Sequence, residues 1–160
     1  MALSEIVKLG DARLLEKAEP VRPDEIKDLM PSIEKMWRLI LEFRAAYGRG
    51  RAIAAPQIGL RKRIICINTG QPEALINPVI ENASEEMMEI WDDCMSFPNL
   101  FIKLKRHKRI TILYYDLKLK PQRRHLEDDM SELLQHEYDH LEGILAIFKA
   151  EDISCFRWVE

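Results

Sequence analysis

Two histidines lie four residues apart and enclose a glutamate in the segment QHEYDHLEG, which runs from residue 135 to 143. In a helix, residues i and i+4 lie above one another on one face, so His136 and His140 can point their imidazoles toward one metal ion. Glu137 lies one position around the helix, where it reaches a metal-bound water better than the metal itself. The H-E-x-x-H pattern therefore predicts a metal-dependent hydrolase, although it also arises by chance on exposed, charged helices.

A catalytic site of this type normally has three protein ligands and one position left for water, so the chain must supply a third ligand. A third histidine six residues after the second is excluded, because Ala146 stands there. A downstream glutamate is disfavoured, because Glu151 and Glu160 leave too little chain for a further helix. His107 and His125 are also possible ligands, but no pattern around them indicates a shaped site.

Cys94 is the better candidate for the third ligand. It lies in WDDCMSFP, between strand-like segments and among turn residues. A thiolate there would be stabilised by a metal, and a Cys/His/His set is chemically reasonable. The alternative is a small buried hydrophobic residue, which is how most free cysteines behave and how we interpret Cys66 and Cys155.

The segment GRAIAAPQIG, residues 50–59, combines small side chains with one uncharged amide. Small side chains allow another backbone to approach closely. Gln57 would then offer a neutral hydrogen-bond donor beside whatever approaches. The alternative is a tight loop buried next to the core.

Length, composition and charge indicate one enzyme-sized domain. The chain has 160 residues with 47% hydrophobic and 32% charged side chains, which predicts a single folded domain over 1–160. A net charge of −3 argues against a protein that coats nucleic acid. No apolar run approaches the roughly 20 residues of a membrane span, and the N-terminus does not resemble a secretory signal. Three cysteines in no framework spacing favour the reducing cytoplasm.

The hydrophobic pattern predicts an α+β fold with antiparallel pairing. Residues 23–48 read as a helix in which Pro31 marks a kink or a second start. Residues 128–148 read as a second helix that begins near Ser131. Strands are expected at 62–68, at 73–80 up to an Asn-Pro pair, and once or twice within 99–118. A basic cluster in the last of these is interpreted as a solvated strand face rather than an RNA site: Lys103, Lys105, Arg106, Lys108 and Arg109.

Three segments, taken in order, resemble the peptide deformylase family. They are GRAIAAPQIG, WDDCMS and QHEYDHLEG, against family patterns of G-x-G-x-A-A-P-Q, E-G-C-x-S and Q-H-E-x-D-H. Weaker similarity covers VKLGDARLLEKAEPV near the N-terminus, ALINPVI, and GILAIFKAED, which resembles the family's C-terminal helix. The resemblance implies antiparallel β-sheets packed around a central C-terminal helix that carries H-E-x-x-H.

The resemblance also implies a role for individual residues. Cys94, His136 and His140 would bind one divalent metal ion, Fe²⁺ in most members and Zn²⁺, Ni²⁺ or Co²⁺ as replacements. Glu137 would be the general acid/base, and Gln57 with the backbone N–H of Met95 would stabilise the oxyanion. The expected substrate-contacting residues are Gly50, Ala52, Ile53 and Asp93.

The implied reaction is hydrolysis of the N-formyl group from the N-terminal methionine of nascent polypeptides, with release of formate. The implied setting is a cytoplasmic monomer that meets the nascent chain, with the ribosome as a further partner, and with no membrane or direct nucleic-acid partner. Two alternatives remain open: a related hydrolase for another N-formyl or N-acyl amine, and a metal-binding homologue with little turnover. A protease is disfavoured, because so short a chain has little room for a long cleft.

This chain departs from the family patterns on the substrate side. Ala52 replaces a glycine, and Asp92-Asp93 replaces Glu-Gly. Asp92 is a shorter acid that we expect to pair with Arg106. Asp93 either carries negative charge to the mouth of the substrate pocket, turns to solvent, or pairs with a basic residue of 103–109. Two acids before the H-E-x-x-H segment either face solvent or make the side-chain pocket acidic: Asp129 and Glu132.

Overall fold

The computed structural model describes residues 2–160 and contains two antiparallel β-sheets around one helix. A five-stranded sheet has the order β1-β2-β3-β6-β7, with β1 Ala52–Ala54, β2 Ile64–Asn68, β3 Pro72–Ala83, β6 Arg109–Tyr115 and β7 Pro121–Glu127. A three-stranded sheet has the order β4-β5-β8, with β4 Met87–Asp92, β5 Leu100–His107 and β8 Phe156–Trp158. The expected α+β class with antiparallel pairing is confirmed.

The first helix, α1 (Ile26–Tyr47), covers one face of the larger sheet. Its buried stripe follows the helical period and packs against β1 and β2, through Ile33, Met36, Leu39, Ile40 and Phe43. The helix is continuous across Pro31, so the expected second start is wrong. It ends at Gly48, whose φ of 72° places it in the left-handed conformation typical of a helix C-terminus.

The second helix, α2 (Asp128–Leu141), lies between the two sheets and contacts strands of both. This central position is the one expected for the helix that carries H-E-x-x-H. Gln135 fixes it to the end of β5, because its amide accepts from His107 N at 3.0 Å and donates to His107 O at 2.7 Å. Ser131 is buried inside the helix and donates to His107 O at 2.8 Å, so it does not mark the helix start.

The second helix is shorter than predicted. It ends at Leu141, and Gly143 follows with a φ of 71°. A Cβ at Gly143 would lie 2.5 Å from the backbone oxygen of Leu15, so only glycine fits this close approach. Beyond it, residues 143–152 do not form the long C-terminal helix that the resemblance implied. The chain forms short 3₁₀ turns at Ala146–Lys149 and Ile153–Cys155, and then β8.

The strand predictions hold in part. The expected strands at 62–68 and 73–80 correspond to β2 and β3, but β3 continues past the Asn-Pro pair through an irregularity in its pairing with β6. The stretch 99–118 holds two strands in different sheets. Four strands were missed: β1, β4, β7 and β8. His125 lies in β7.

The fold brings the three motif segments together, because β1 and the turn after β4 both lie beside α2. The strand β1 forms an edge of the larger sheet, and β4 leads into the turn that contains Cys94. Both α1 and α2 contact β1. No helix within residues 2–160 is long and apolar enough to cross a membrane.

Candidate metal centre

Cys94, His136 and His140 converge in the interior. One potential ligand atom from each lies within 4.8 Å of the other two, and all three residues are buried. The Sγ of Cys94 lies 3.3 Å from Nε2 of His140. These are the three residues expected to bind a metal ion, and the fold places them close enough to share one.

The two histidines owe their arrangement to α2. Because they are four residues apart, their rings lie on one face, with centroids 5.0 Å apart. Cys94 comes from the turn after β4, which is closed by a hydrogen bond of 3.1 Å from Phe97 N to Cys94 O. The helical spacing on α2 and the closed turn after β4 therefore place the three side chains close together.

Asp92 orients His136. Its Oδ2 lies 2.9 Å from Nδ1 of His136 and accepts a hydrogen bond of 2.8 Å from Nη2 of Arg106. Arg106 Nη1 also donates to Oδ2 of Asp139 at 2.6 Å. The expected Asp92–Arg106 pair is confirmed, but Arg106 is buried. It therefore does not belong to a solvated basic face.

The buried charges of Asp92, His136 and Arg106 compensate one another. Burial alone would raise the pKa of Asp92, but His136 and Arg106 hold it well below its usual value. Burial would lower the pKa of His136, whereas Asp92 and Cys94 raise it well above its usual value. The environment of His136 thus favours a positive charge at the ring. A cation at Nε2 satisfies that preference in place of a proton.

Glu137 is buried beside the ligand residues. Burial raises its pKa to about 7, even though the neighbouring His136 opposes the shift. Among the described residues, its Oε2 has no hydrogen-bond partner, although it is fully buried. A carboxyl with a pKa near neutrality and a free oxygen in a cleft is suited to accept and return a proton.

Gln57 points its amide nitrogen toward the ligand residues. Its Oε1 accepts a hydrogen bond of 2.9 Å from Ala54 N, which fixes the orientation of the amide. Its Nε2 then lies 3.4 Å from Cys94 Sγ and 3.2 Å from Ser96 Oγ. A neutral donor held at this place can stabilise negative charge that develops near the metal.

A cleft of about 180 Å³ opens beside these groups. Its lining includes Gly50, Ala52, Asp93 and Met95, which were expected near substrate. Ile53 differs, because the whole residue is buried in the core and it does not line the cleft. Gly50 has a φ of 128°, and a Cβ there would lie 3.0 Å from the ring of Phe43.

Besides Asp92 and Glu137, four charged side chains line the cleft in two pairs. Arg49 Nε donates to Asp93 Oδ2 at 2.9 Å. Arg51 Nη2 donates to Glu132 Oε1 at 2.5 Å. Asp93 lines the cleft, and the expectation that it pairs within 103–109 is wrong, because its partner Arg49 lies in the segment before β1.

The two acids before H-E-x-x-H differ from one another. Glu132 belongs to the cleft and is half-buried, whereas Asp129 is exposed. The arginines Arg49 and Arg51 were not identified from the sequence. Arg51 occupies a variable position of the first motif and Arg49 lies directly before that motif, so no sequence signal marked them.

The other candidate ligands lie elsewhere. His107 Nδ1 is 2.7 Å from Ser84 O, and His125 Nδ1 is 2.8 Å from Thr111 Oγ1. Cys66 and Cys155 are buried free cysteines, as expected for small hydrophobic residues. Within residues 2–160, the only cluster of three or more potential metal ligands is Cys94, His136 and His140.

The donor set fits a catalytic divalent cation. One thiolate and two imidazoles are ligands for Fe²⁺ and Zn²⁺, and three protein ligands leave an open position. The unpartnered Glu137 oxygen and the Gln57 amide face this region. The fold and the site therefore define a metallo-hydrolase of the H-E-x-x-H type, with Cys94 as the candidate third ligand.

Comparison with known proteins identifies the family. Residues 3–154 match the polypeptide deformylase family model. A peptide deformylase 2 of Ralstonia nicotianae is 34% identical, over 97% of this chain and 91% of its own. The crystal structure of peptide deformylase from Thermotoga maritima has a TM-score of 0.83 at 32% identity, covering 92% of this chain and 97% of that chain. A Met-Ala-Ser-bound peptide deformylase from Acinetobacter baumannii has a TM-score of 0.81 at 26% identity, covering 90% and 96%.

The chain belongs to the peptide deformylase family. It is a metallo-hydrolase of that family, whose members remove the N-formyl group from nascent polypeptides. The resemblance in the three motifs is confirmed by both the sequence and the structural comparison.

Proposed function

We propose that this chain hydrolyses the formyl amide at the N-terminus of nascent polypeptides and releases formate, with Cys94, His136 and His140 holding one divalent metal ion. One observation carries the proposal. The three potential ligand atoms lie within 4.8 Å of one another and beside a buried carboxyl and an oriented amide. Each of these groups has a defined use in amide hydrolysis.

The ion we propose is Fe²⁺, with Zn²⁺, Ni²⁺ or Co²⁺ as functional replacements. One soft thiolate and two imidazoles accommodate all four cations, so the protein donors alone do not discriminate strongly among them. A divalent cation bound there supplies Lewis acidity toward the formyl oxygen and a nucleophile at neutral pH.

Glu137 moves the protons in the proposed reaction. With a pKa near 7, its carboxylate accepts a proton from the attacking water. It then donates that proton to the peptide nitrogen as the C–N bond breaks, so that the leaving group departs as a neutral amine. Its burial excludes bulk water from this exchange.

Two donors stabilise the oxygen on which negative charge develops. Gln57 Nε2 is fixed by the Ala54–Gln57 hydrogen bond and points to the reaction centre. The backbone N–H of Met95 follows the cysteine ligand directly in the chain. Donors that are held in place before reaction stabilise the transition state without the cost of reorganisation.

The substrate backbone is proposed to lie along the free edge of β1. This strand pairs on one side with β2 and is the edge of its sheet, so Gly50 and Ala52, which line the cleft, can offer backbone groups to an extended peptide. The Acinetobacter baumannii relative with bound Met-Ala-Ser shows that a relative of this fold accommodates such a tripeptide.

The proposed setting is the cytoplasm, where nascent chains emerge. We propose that residues 1–160 act as one catalytic domain and as a monomer that meets its substrate at the ribosome. The proposal includes neither a membrane partner nor direct recognition of nucleic acid.

The test is formate release from formyl-Met-Ala-Ser by protein purified anaerobically with Fe²⁺. We expect turnover by the parent chain and a loss of about a hundredfold or more in Glu137→Gln, which keeps the size of the side chain but removes the base. The variant should retain its metal and its fold. A parent chain that holds metal but releases no formate would contradict the proposal and would favour a homologue with little turnover.

A further inference from the structure

The cleft beside the metal ligands has an ion pair in its wall. Glu132 on α2 and Arg51, which directly precedes β1, both line the cleft and form a hydrogen bond of 2.5 Å. The lining of the cleft also includes apolar side chains, those of Leu133, Met95 and Phe43. A charged pair among apolar groups is costly unless both charges stay compensated.

Glu132 lies at the right distance from the reaction centre to meet the first side chain of a substrate. It precedes His136 by four residues, so it lies on the same face of α2, about one turn or roughly 6 Å away along the helix axis. In a formylated peptide, three bonds separate the formyl carbon from the first Cβ. The first side chain of a bound substrate therefore begins near the metal ligands. An extended side chain spans about one helical turn, which is the distance from His136 to Glu132.

The two members of the pair differ in how easily they can be displaced. The side chain of Glu132 is 14% exposed, whereas that of Arg51 is 39% exposed. Glu132 is short and fixed on a helix, and burial raises the pKa of its carboxyl despite the opposing effect of Arg51. The long Arg51 side chain can swing into solvent, and within the described residues its guanidinium hydrogen-bonds only to Glu132.

The second pair of the cleft is held more firmly. The guanidinium of Arg49 bonds to Asp93, also donates to the backbone oxygen of Pro98, and lies 4.8 Å from the ring centroid of Phe101. Several contacts therefore restrain the counter-ion of Asp93. Glu132 is the acid of the cleft whose partner is replaceable.

We propose that Glu132 is a specificity-determining residue that favours formylated peptides whose first side chain carries an ammonium group, as in formyl-lysyl peptides. The ammonium takes the place of the Arg51 guanidinium, and Arg51 moves toward solvent. An apolar first side chain instead leaves the Arg51–Glu132 pair in place and removes it further from water, and therefore gains less from the cleft. This inference rests on the proposed deformylase activity and adds a substrate class to it.

The test compares kcat/KM for formyl-Lys-Ala-Ser with that for formyl-Met-Ala-Ser. Glu132→Gln keeps the size of the side chain and removes its charge. We expect this variant to lower the lysine-to-methionine ratio about tenfold, the magnitude of a lost charge-assisted hydrogen bond. Arg51→Leu removes the competing internal cation, so it should raise the ratio.

Asp93→Asn is the matched control, because it neutralises the cleft acid that pairs with Arg49, with equal conservation of size. It should leave the ratio within about twofold of the parent, well below the effect of a lost charged contact. A shift in Asp93→Asn without one in Glu132→Gln would overturn the assignment to Glu132. Equal losses for both peptides in Glu132→Gln would indicate structural damage and would also overturn it.

A binding measurement separates this inference from the proposed activity. In the Glu137→Gln background, equilibrium affinities for the two formylated peptides can be measured by calorimetry without turnover. We expect the added Glu132→Gln substitution to weaken binding of the lysyl peptide by about tenfold and to spare the methionyl peptide. Unchanged relative affinities would contradict the inference, whether or not the parent chain releases formate.

Discussion

Oδ2 of Asp92 lies 2.9 Å from Nδ1 of His136, so a buried carboxylate orients one of the candidate metal ligands from behind. The same oxygen accepts a hydrogen bond from Arg106, which also binds Asp139 near the end of α2. The pair thus connects the end of β4 with the helix that carries both histidines. Such carboxylate–histidine contacts fix the ring and raise its basicity as a ligand.

Neutralising this carboxylate should weaken metal binding. In Asp92→Asn, His136 loses its anionic partner and Arg106 loses one of its two counter-ions, so we expect metal affinity to fall by about 10- to 100-fold. Competition with a chelator would measure the change. Asp92→Glu, which restores the family residue, is the control and should retain the ion more tightly than Asp92→Asn. An asparagine variant with parental affinity would show that the contact is not needed.

Loss of any proposed ligand should remove the ion. The parent chain, purified anaerobically, should contain about one divalent ion per molecule, as expected for a three-ligand catalytic site. Elemental analysis should show a sharp decrease in Cys94→Ser, His136→Ala and His140→Ala. Cys155→Ser is the matched cysteine control, because Cys155 is buried outside the cluster. Full metal content in Cys94→Ser and His136→Ala would refute the ligand assignment.

Local spacing accounts for what the sequence predicted well. The i, i+4 relation of His136 and His140 depends only on one helical turn, and the hydrophobic periods of α1, β2 and β3 depend on neighbouring residues. Cys94 was selected over other ligands by chemistry and then by resemblance, because the approach of its turn to α2 depends on the tertiary fold. The comparisons with known proteins confirmed the family, and the structure brings the three residues together.

Contacts between distant segments account for what the sequence did not predict. Arg51 and Glu132 lie 81 residues apart, and Arg49 and Asp93 lie 44 apart, so no local pattern relates the partners. The end of α2 was misplaced for a similar reason. Apolar residues continue beyond Leu141, but Gly143 passes so close to Leu15 that the chain turns away.

Cys66 should resist thiol reagents in the folded protein. It is fully buried on β2, and burial, together with the negative charge of Glu137, raises the pKa of its thiol far above the usual value. The reactive thiolate is therefore absent at pH 8. Mass spectrometry after alkylation should find Cys66 modified only after unfolding in guanidinium chloride. Modification of native Cys66 as fast as that of Cys94 in chelated protein would contradict the described core.

The role proposed for Gln57 can be tested by an almost isosteric change. Gln57→Glu retains an oxygen to accept from Ala54 N but replaces the amide donor with a second acceptor. A carboxylate cannot stabilise the developing oxyanion and repels it, so kcat should fall by about 10²- to 10³-fold. The three ligands are unchanged, and metal content should remain near one ion per chain. Formate release and elemental analysis measure the two effects separately.

Ser96→Ala is the matched control for that change. It removes the hydroxyl contacted by Gln57 Nε2 at 3.2 Å but keeps the amide donor itself, which the Ala54 contact still orients. We therefore expect kcat within a few-fold of the parent, because the donor that stabilises the transition state remains in place. If Gln57→Glu and Ser96→Ala have equally small effects while both retain metal, the oxyanion is stabilised elsewhere, and the Met95 N–H becomes the main protein donor.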